Sequence, residues 1–209
     1  MHTNPLFRKT PEDTNRAFAL EQGFGTLAIA HEGAPLLSHV PFLAVEDGAA
    51  LELHLTRSNP IARALKSPHP ATLAVIGPHG YISPDWYDMA DQVPTWNYVA
   101  VHITGTLTRL APEALPAHLD RLSERFEATL APKEPWRTSK MPDDLMEKML
   151  RQIVPVRLEI AQIDGTWKLN QNKPDAARLK AADHVAAYGI GQETTLLANL
   201  MRGAGGETA

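Results

Sequence analysis

Four short stretches of this chain carry side chains able to do chemistry. Leu55-Thr-Arg-Ser-Asn-Pro60 sets hydroxyls, an amide and a guanidinium where a strand end meets a helix start. Phosphate recognition needs such donors, and Arg57 could engage two phosphate oxygens at once, with Thr56 and Ser58 assisting. The same residues also make an ordinary helix start, with Ser58 or Asn59 as the cap, Pro60 just inside and Arg57 solvated. Ser38-His-Val-Pro41 lies within a strand, where proline cannot donate to the ladder. Pro41 therefore implies either a bulge that re-aims its neighbours toward a site or a blunted sheet edge.

The third stretch is Gly77-Pro-His-Gly-Tyr-Ile-Ser-Pro-Asp-Trp-Tyr87, followed by Val93-Pro-Thr-Trp-Asn-Tyr98. Rigid aromatic faces beside Ser, Asn and Asp suit a flat conjugated ligand, because stacking supplies area while a few polar groups fix orientation. Those rings could equally close a barrel mouth or fill a subunit interface. The fourth, Thr166-Trp-Lys-Leu-Asn-Gln-Asn172, reads as a surface turn or as a late element bringing Lys168, Gln171 and Asn172 to a heterocycle.

Other chemistries find little purchase. The nine histidines show no ligand spacing and there is no cysteine, so no metal site is expected. His39 and His54 could meet across the sheet if the hairpin register allows. Ser38 and Ser83 lack a Gly-x-Ser-x-Gly elbow, and neither nucleotide fingerprint is present.

The elements that must hold these stretches are mostly strands. A helix capped by Thr10, with Pro11 at its first position, stops at Gly23. Strand-like runs follow at Thr26 to Glu32, Leu36 to Val45 and Ala50 to Leu55. They are separated by Glu32-Gly33-Ala34-Pro35 and Glu46-Asp47-Gly48, which carry hairpin turn chemistry. Alternation of Leu51, Leu53 and Leu55 with Glu52 and His54 gives one buried face. A short helix runs from Pro60 to Lys66, and Ala71 to Gly77 is another strand, which the aromatic stretch ends. A long strand spans Asn97 to Leu110.

Pro112 opens an amphipathic helix with Leu115, Leu119, Leu122, Phe126 and Leu130 on one face. A surface connection, 131–142, leads to a helix begun by Asp143 and Asp144. Val154 to Asp164 is a strand, turning at Asp164-Gly165 into Thr166 to Asn170. Helices from Pro174 to Tyr188 and from about Gln192 to Met201 follow, and Gly203 to Ala209 reads as disordered. Strands interrupted by helices, rather than alternating with them, favour an antiparallel barrel over a doubly wound sheet.

The chain of 209 residues is 44% hydrophobic and 21% charged, ordinary for a globular protein. No apolar run reaches the roughly 18 residues of a membrane span. The start lacks the basic and apolar regions of a secretion signal, and cysteine is absent, so a cytoplasmic location is expected. A formal charge of −4 offers no general attraction for DNA.

Three of these stretches, Gly77 to Tyr87, Val93 to His102 and Lys168-Leu-Asn-Gln-Asn-Lys-Pro174, together resemble the PaiB family. Its members are bacterial FMN-binding negative transcriptional regulators. The likeness extends through Gly23-Phe-Gly-Thr-Leu27 and Ser38-His-Val-Pro-Phe-Leu43 almost to the C-terminus. The resemblance implies a mainly β fold with helical additions, an antiparallel split β-barrel related to pyridoxamine-phosphate oxidases. Its members are usually homodimers with FMN at the subunit interface.

Carried onto this chain, Thr56, Arg57, Ser58 and Asn59 would hold the FMN phosphate. Ser38, His39, Val40 and Pro41 would line the isoalloxazine. Trp96, Asn97, Lys168, Gln171 and Asn172 would approach from elsewhere, the partner subunit included. Residues 1–170 would form the barrel domain, with inserted helices in 112–150, and 171–209 a helical extension packed on it. Arg57 and Asn59 match the family's run before the short helix, whereas Thr56 and Ser58 depart from it.

Two functions follow from the resemblance: a regulator acting through flavin or ligand state, or an FMN-dependent oxidoreductase on a small molecule. With no helix-turn-helix in the sequence, direct DNA contact has little support. A haem-binding split barrel is a lesser alternative, without an axial-ligand motif.

Overall fold

The computed structural model describes residues 1–204. Helix α1 (Glu12–Gln22) opens with Glu12 and Asp13 against the positive end of its dipole. It ends at Gly23, whose φ of +61° is left-handed. Strands β1 (Phe24–His31) and β2 (Ala34–Pro41) then pair antiparallel through a two-residue turn. Glu32 and Gly33 both take positive φ there, the geometry that matches strand twist.

The expected run Leu36 to Val45 is divided. Phe42 leaves the ladder, donating its backbone N–H to the Gly23 carbonyl at 2.9 Å, and β3 (Leu43–Val45) begins after it. Next come β4 (Ala50–Thr56), α2 (Pro60–Ala64), β5 (His69–Ile82) and β6 (Thr95–Arg109). The second half holds α3 (Leu115–Glu127), α4 (Asp143–Leu150), β7 (Ile153–Lys168), α5 (Asp175–Tyr188), β8 (Gly191–Gln192) and α6 (Thr194–Gly203). Gly203 closes α6 instead of opening a disordered tail, and residues 205–209 lie outside the described residues.

The strands form one sheet in the order β2-β1-β5-β6-β7-β4-β3, with β8 paired to β5. The β1–β2, β1–β5, β3–β4, β4–β7 and β5–β8 pairs are antiparallel. Because β2 ends this order, Pro41 sits on an edge strand, where a missing N–H costs least.

Three elements differ from the sequence expectation, each for a packing reason. Strand β5 continues through Gly77 to Ile82 because a ring fills the place a side chain would take: a Cβ at Gly77 would lie 2.3 Å from Phe18. Strand β7 runs straight through Asp164-Gly165. A Cβ at Gly165 would lie 1.9 Å from Asn15 Oδ1, so this glycine serves close approach, not a turn. Helix α3 buries Leu115, His118 and Leu122, whereas Phe126 and Leu130 are exposed.

The chain forms two compact units. The first comprises Met1–Phe18, Val75–His102 and the chain from Asp164 on; the second comprises Ala19–Ala74 and Ile103–Ile163. In the first, Ile82, Tyr87, Val99 and Leu169 pack with Ala181, Val185, Leu197 and Met201 of α5 and α6. Buried Arg178 ties those helices, donating to the Arg202 carbonyl at 2.9 Å and to Asp175 at 2.8 Å. In the second, Leu27, Phe42, Leu51, Leu53, Ile61, Ile103 and Leu158 are fully buried. No helix among the described residues is long and apolar enough to cross a membrane.

Candidate functional site

The sequence-predicted residues fall into two sets, one in each unit. In the second unit, β2 and the turn after β4 meet. Asn59 caps α2, its Oδ1 accepting the Ile61 N–H at 2.9 Å. Its Nδ2 donates to Ser38 Oγ at 3.0 Å, so one amide fixes both the helix start and the β2 hydroxyl. His39 Nδ1 lies 2.9 Å from Thr26 Oγ1 on β1, across the register pair Thr26–His39. Val40 points into the core, and Pro41 is half-buried at the strand end.

Arg57 is exposed but anchored. Its Nε donates to the Arg151 carbonyl at 2.7 Å and its Nη2 to the Ile153 carbonyl at 3.3 Å. That leaves Nη1 without a protein partner among the described residues. Thr56 Oγ1 and Ser58 Oγ stand beside it, 3.5 Å apart. A planar cation held by two carbonyls, flanked by hydroxyls and a capped helix start, is a donor set for an oxyanion.

The first unit holds the other set. Trp96 is 47% exposed, with its ring 6.1 Å from His79 and 6.3 Å from Tyr81. Asn97, next on β6, is fully buried, and neither atom of its amide has a hydrogen-bond partner among the described residues. Lys168 donates to Thr95 Oγ1 and stands 5.9 Å from the Phe7 ring centre. Burial, then the charge of Lys173, lowers its pKa from the ordinary lysine value. Gln171 folds back on its own turn, accepting from the Leu169 N–H at 2.8 Å and donating to the Trp167 carbonyl. Asn172 is exposed.

His39 and His54 take separate partners. His54 Nδ1 lies 3.0 Å from Nε2 of His118, which is completely buried on α3. His118 Nδ1 faces Glu52 Oε2 at 3.7 Å. That Nδ1 is buried with no hydrogen-bond partner among the described residues; with its proton there, drawn by the carboxylate, His54 donates and His118 accepts between the rings. Burial, then neighbouring His54 and Arg121, pushes His118 down to about 4, and burial lowers His54. Arg121 and Arg157 complete the charge around Glu52. This cluster had a sequence signal: His118 lies three residues after Leu115 and four before Leu122, on the apolar stripe.

Comparison with known proteins places this geometry. Residues 1–162 match the family described as "Putative FMN-binding domain". The chain belongs to this FMN-binding family. The "Protease synthase and sporulation protein PAI 2" of Bacillus subtilis is 30% identical over 175 residues, covering 83% of either chain. That likeness bears out the resemblance to the PaiB family.

Among solved structures, the FAD and haem binding protein from Mycobacterium smegmatis superposes with a TM-score of 0.56 at 21% identity, covering 87% of this chain and 80% of that one. The flavocytochrome Anf3 from Azotobacter vinelandii gives 0.54 at 16% identity, covering 80% and 72%. These likenesses establish the fold, an antiparallel split β-barrel with helical additions.

FMN is the cofactor of the family, and the residues present fit it. The anchored guanidinium with its free Nη1 suits a phosphate. The exposed Trp96 indole suits a flat ring, and the orphaned Asn97 amide is a donor–acceptor pair still to be matched.

Proposed function

We propose that this chain is a non-covalent FMN-binding protein that acts as a negative regulator of gene expression through flavin or ligand state. The single observation that carries the flavin site is the anchored Arg57, whose family context supplies the phosphate. Arg57 would hold that group with Thr56 and Ser58, while Asn59 keeps Ser38 in place. Ser38, His39, Val40 and Pro41 form the strand segment beside the ring. Val40 acts there through its backbone, since its side chain is buried. Trp96, Asn97, Lys168, Gln171 and Asn172 belong to the same reading as further flavin contacts. Bound FMN would supply reversible electron and hydride chemistry, and the chain supplies position and electrostatics.

The regulator reading is supported by the likeness to PAI 2 of Bacillus subtilis. With a formal charge of −4, regulation through a protein partner or a metabolite suits the chain better than direct DNA contact. The exposed apolar residues Ile76, Val93 and Trp96 support a homodimer, and the absence of cysteine supports a cytoplasmic home. A second reading, an FMN-dependent oxidoreductase, is favoured by the orphaned Asn97 amide, a polar group suited to a reacting heterocycle.

Titration with FMN, followed by flavin absorbance, tests the cofactor; an unchanged spectrum at micromolar protein overturns it. Arg57→Ala should weaken FMN about tenfold or more while sparing riboflavin, and equal losses remove Arg57 from the phosphate. Rapid reduction of bound flavin by NADH or NADPH would favour the enzyme. Loss of repression in a deletion strain, restored by the wild-type gene but not by Arg57→Ala, favours the regulator. Sedimentation showing a monomer at micromolar concentration would remove the dimer.

A further inference from the structure

Lys168 and Lys173 form a corner of positive charge that no carboxylate answers among the described residues. Lys168 sits at the end of β7 and bonds Thr95 at the start of β6. Lys173, on the loop that follows, bonds Gln92 Oε1, three residues before Thr95. Each ammonium therefore rests on one neutral acceptor and one aromatic face. For Lys173 that face is Tyr87, at 5.0 Å; for Lys168 it is Phe7. Neither makes an ion pair among the described residues, whereas Lys180 of the same unit pairs with Asp88 at 2.9 Å.

An ammonium has three donors, so both retain hydrogen-bonding capacity. Both side chains are half-buried, where like charges repel more strongly than in water. Lys173 accordingly makes the charged form of Lys168 less favourable.

A second observation points the same way. Asn97 lies two residues from Thr95, on the same face of β6, fully buried and with its amide unmatched. Asn170, between the lysines in sequence, accepts from the Tyr87 hydroxyl at 3.1 Å and leaves its own buried Nδ2 without a partner. Cations and amide N–H groups that lack acceptors call for an anion, whereas the unmatched Asn97 Oδ1 calls for a donor.

We infer that Lys168 and Lys173 bind the oxyanion group of a ligand, a phosphate or a carboxylate. The side chains of this site lie wholly within the first unit. It stands whether or not the flavin reading holds, because it rests on these side chains alone. Because the flavin reading places the FMN phosphate on Arg57, the oxyanion here is the acid group of a second small molecule, the class of substrate or effector this corner selects.

The probe is inorganic phosphate, added to the full chain without flavin, with riboflavin and with FMN. Phosphorus NMR line widths report binding, and carbon–proton correlations of the lysine side chains report the Lys168 titration. Phosphate should raise the Lys168 midpoint and broaden its own signal in the flavin-free protein. Lys168→Gln and Lys173→Gln should each weaken binding about tenfold or more, while Lys173→Arg retains it and Lys180→Gln changes nothing. Exclusion of phosphate by FMN but not by riboflavin would put the flavin's phosphate here instead of on Arg57 and overturn the second-ligand assignment. Binding that persists beside FMN identifies a second acidic ligand. A Lys168 midpoint indifferent to phosphate, or unchanged affinity in both glutamine variants, overturns the inference. Absent flavin binding would instead overturn only the cofactor reading.

Discussion

The two units treat their polar side chains differently. In the second, the polar side chains around β2, β4 and α3 mostly have partners, the buried Nδ1 of His118 being an exception. Asn59 holds Ser38, Thr26 meets His39, and backbone carbonyls hold Arg57. Glu52 is ringed by His118, Arg121 and Arg157. In the first, among the described residues, Asn97 has no partner, Asn170 keeps a free Nδ2, and Lys168 and Lys173 have no carboxylate. A satisfied network positions residues and stabilises the fold, whereas unmatched groups carry a desolvation cost that a ligand can relieve. The second unit is built to hold shape, and the first keeps capacity in reserve.

The largest effect that would sharpen this contrast is acid. His118 is held near 4, below the ordinary histidine value, and His54 is also lowered, so the folded state keeps both rings neutral. The unfolded chain takes up their protons below about pH 6.5, and stability falls from there toward pH 4. The slope is about 1.4 kcal/mol per pH unit for each proton taken up. Above pH 6.5 this contribution is complete and flat. Hydrogen exchange should show β4 and α3 losing protection before α5 and α6, and His118→Leu should flatten the pH dependence. Simultaneous loss in both regions would break the contrast.

Next in size is Asn97→Leu. Removing an unmatched buried amide of similar volume should stabilise the flavin-free protein by ~1–3 kcal/mol in chemical denaturation, and should weaken flavin binding. Destabilisation would mean that the amide is already satisfied. Asn59→Ala should cost ~1 kcal/mol and release the Ile61 amide to exchange, since one side chain both caps α2 and tethers β2. Smallest is Lys180→Gln, whose pair with Asp88 is solvated; its denaturation midpoint should match the wild type.

Local chemistry made much of this legible in the chain. Pro60 and Asn59 announced α2, and Gly23 announced the end of α1. The leucines of β4 marked one buried face, but α3 covers the other, burying Glu52, and of the bulge or edge that Pro41 implied the sheet order gives the edge. Asp164-Gly165 misled, because Asp-Gly reads as a turn unless Asn15, far away in sequence, is known to occupy the space. Gly77 misled for the same reason, with Phe18 as the hidden neighbour. In α3, five apolar residues drew the stripe toward Phe126 and Leu130. The partner waiting on β4 turned it toward His118 instead. Gln171 also braces its own turn, a contact that spacing cannot reveal.

Residue type and order alone determined the strand-rich fold, the family and the candidate donors, because periodicity, caps and motifs are properties of neighbours along the chain. Folding in three dimensions decided which donors already have partners. It anchored Arg57 on two carbonyls, set His54 against His118, and left Lys168, Lys173 and Asn97 unanswered. Whether a polar group is satisfied depends on what lies within about 3 Å of it, and those atoms come from distant parts of the sequence.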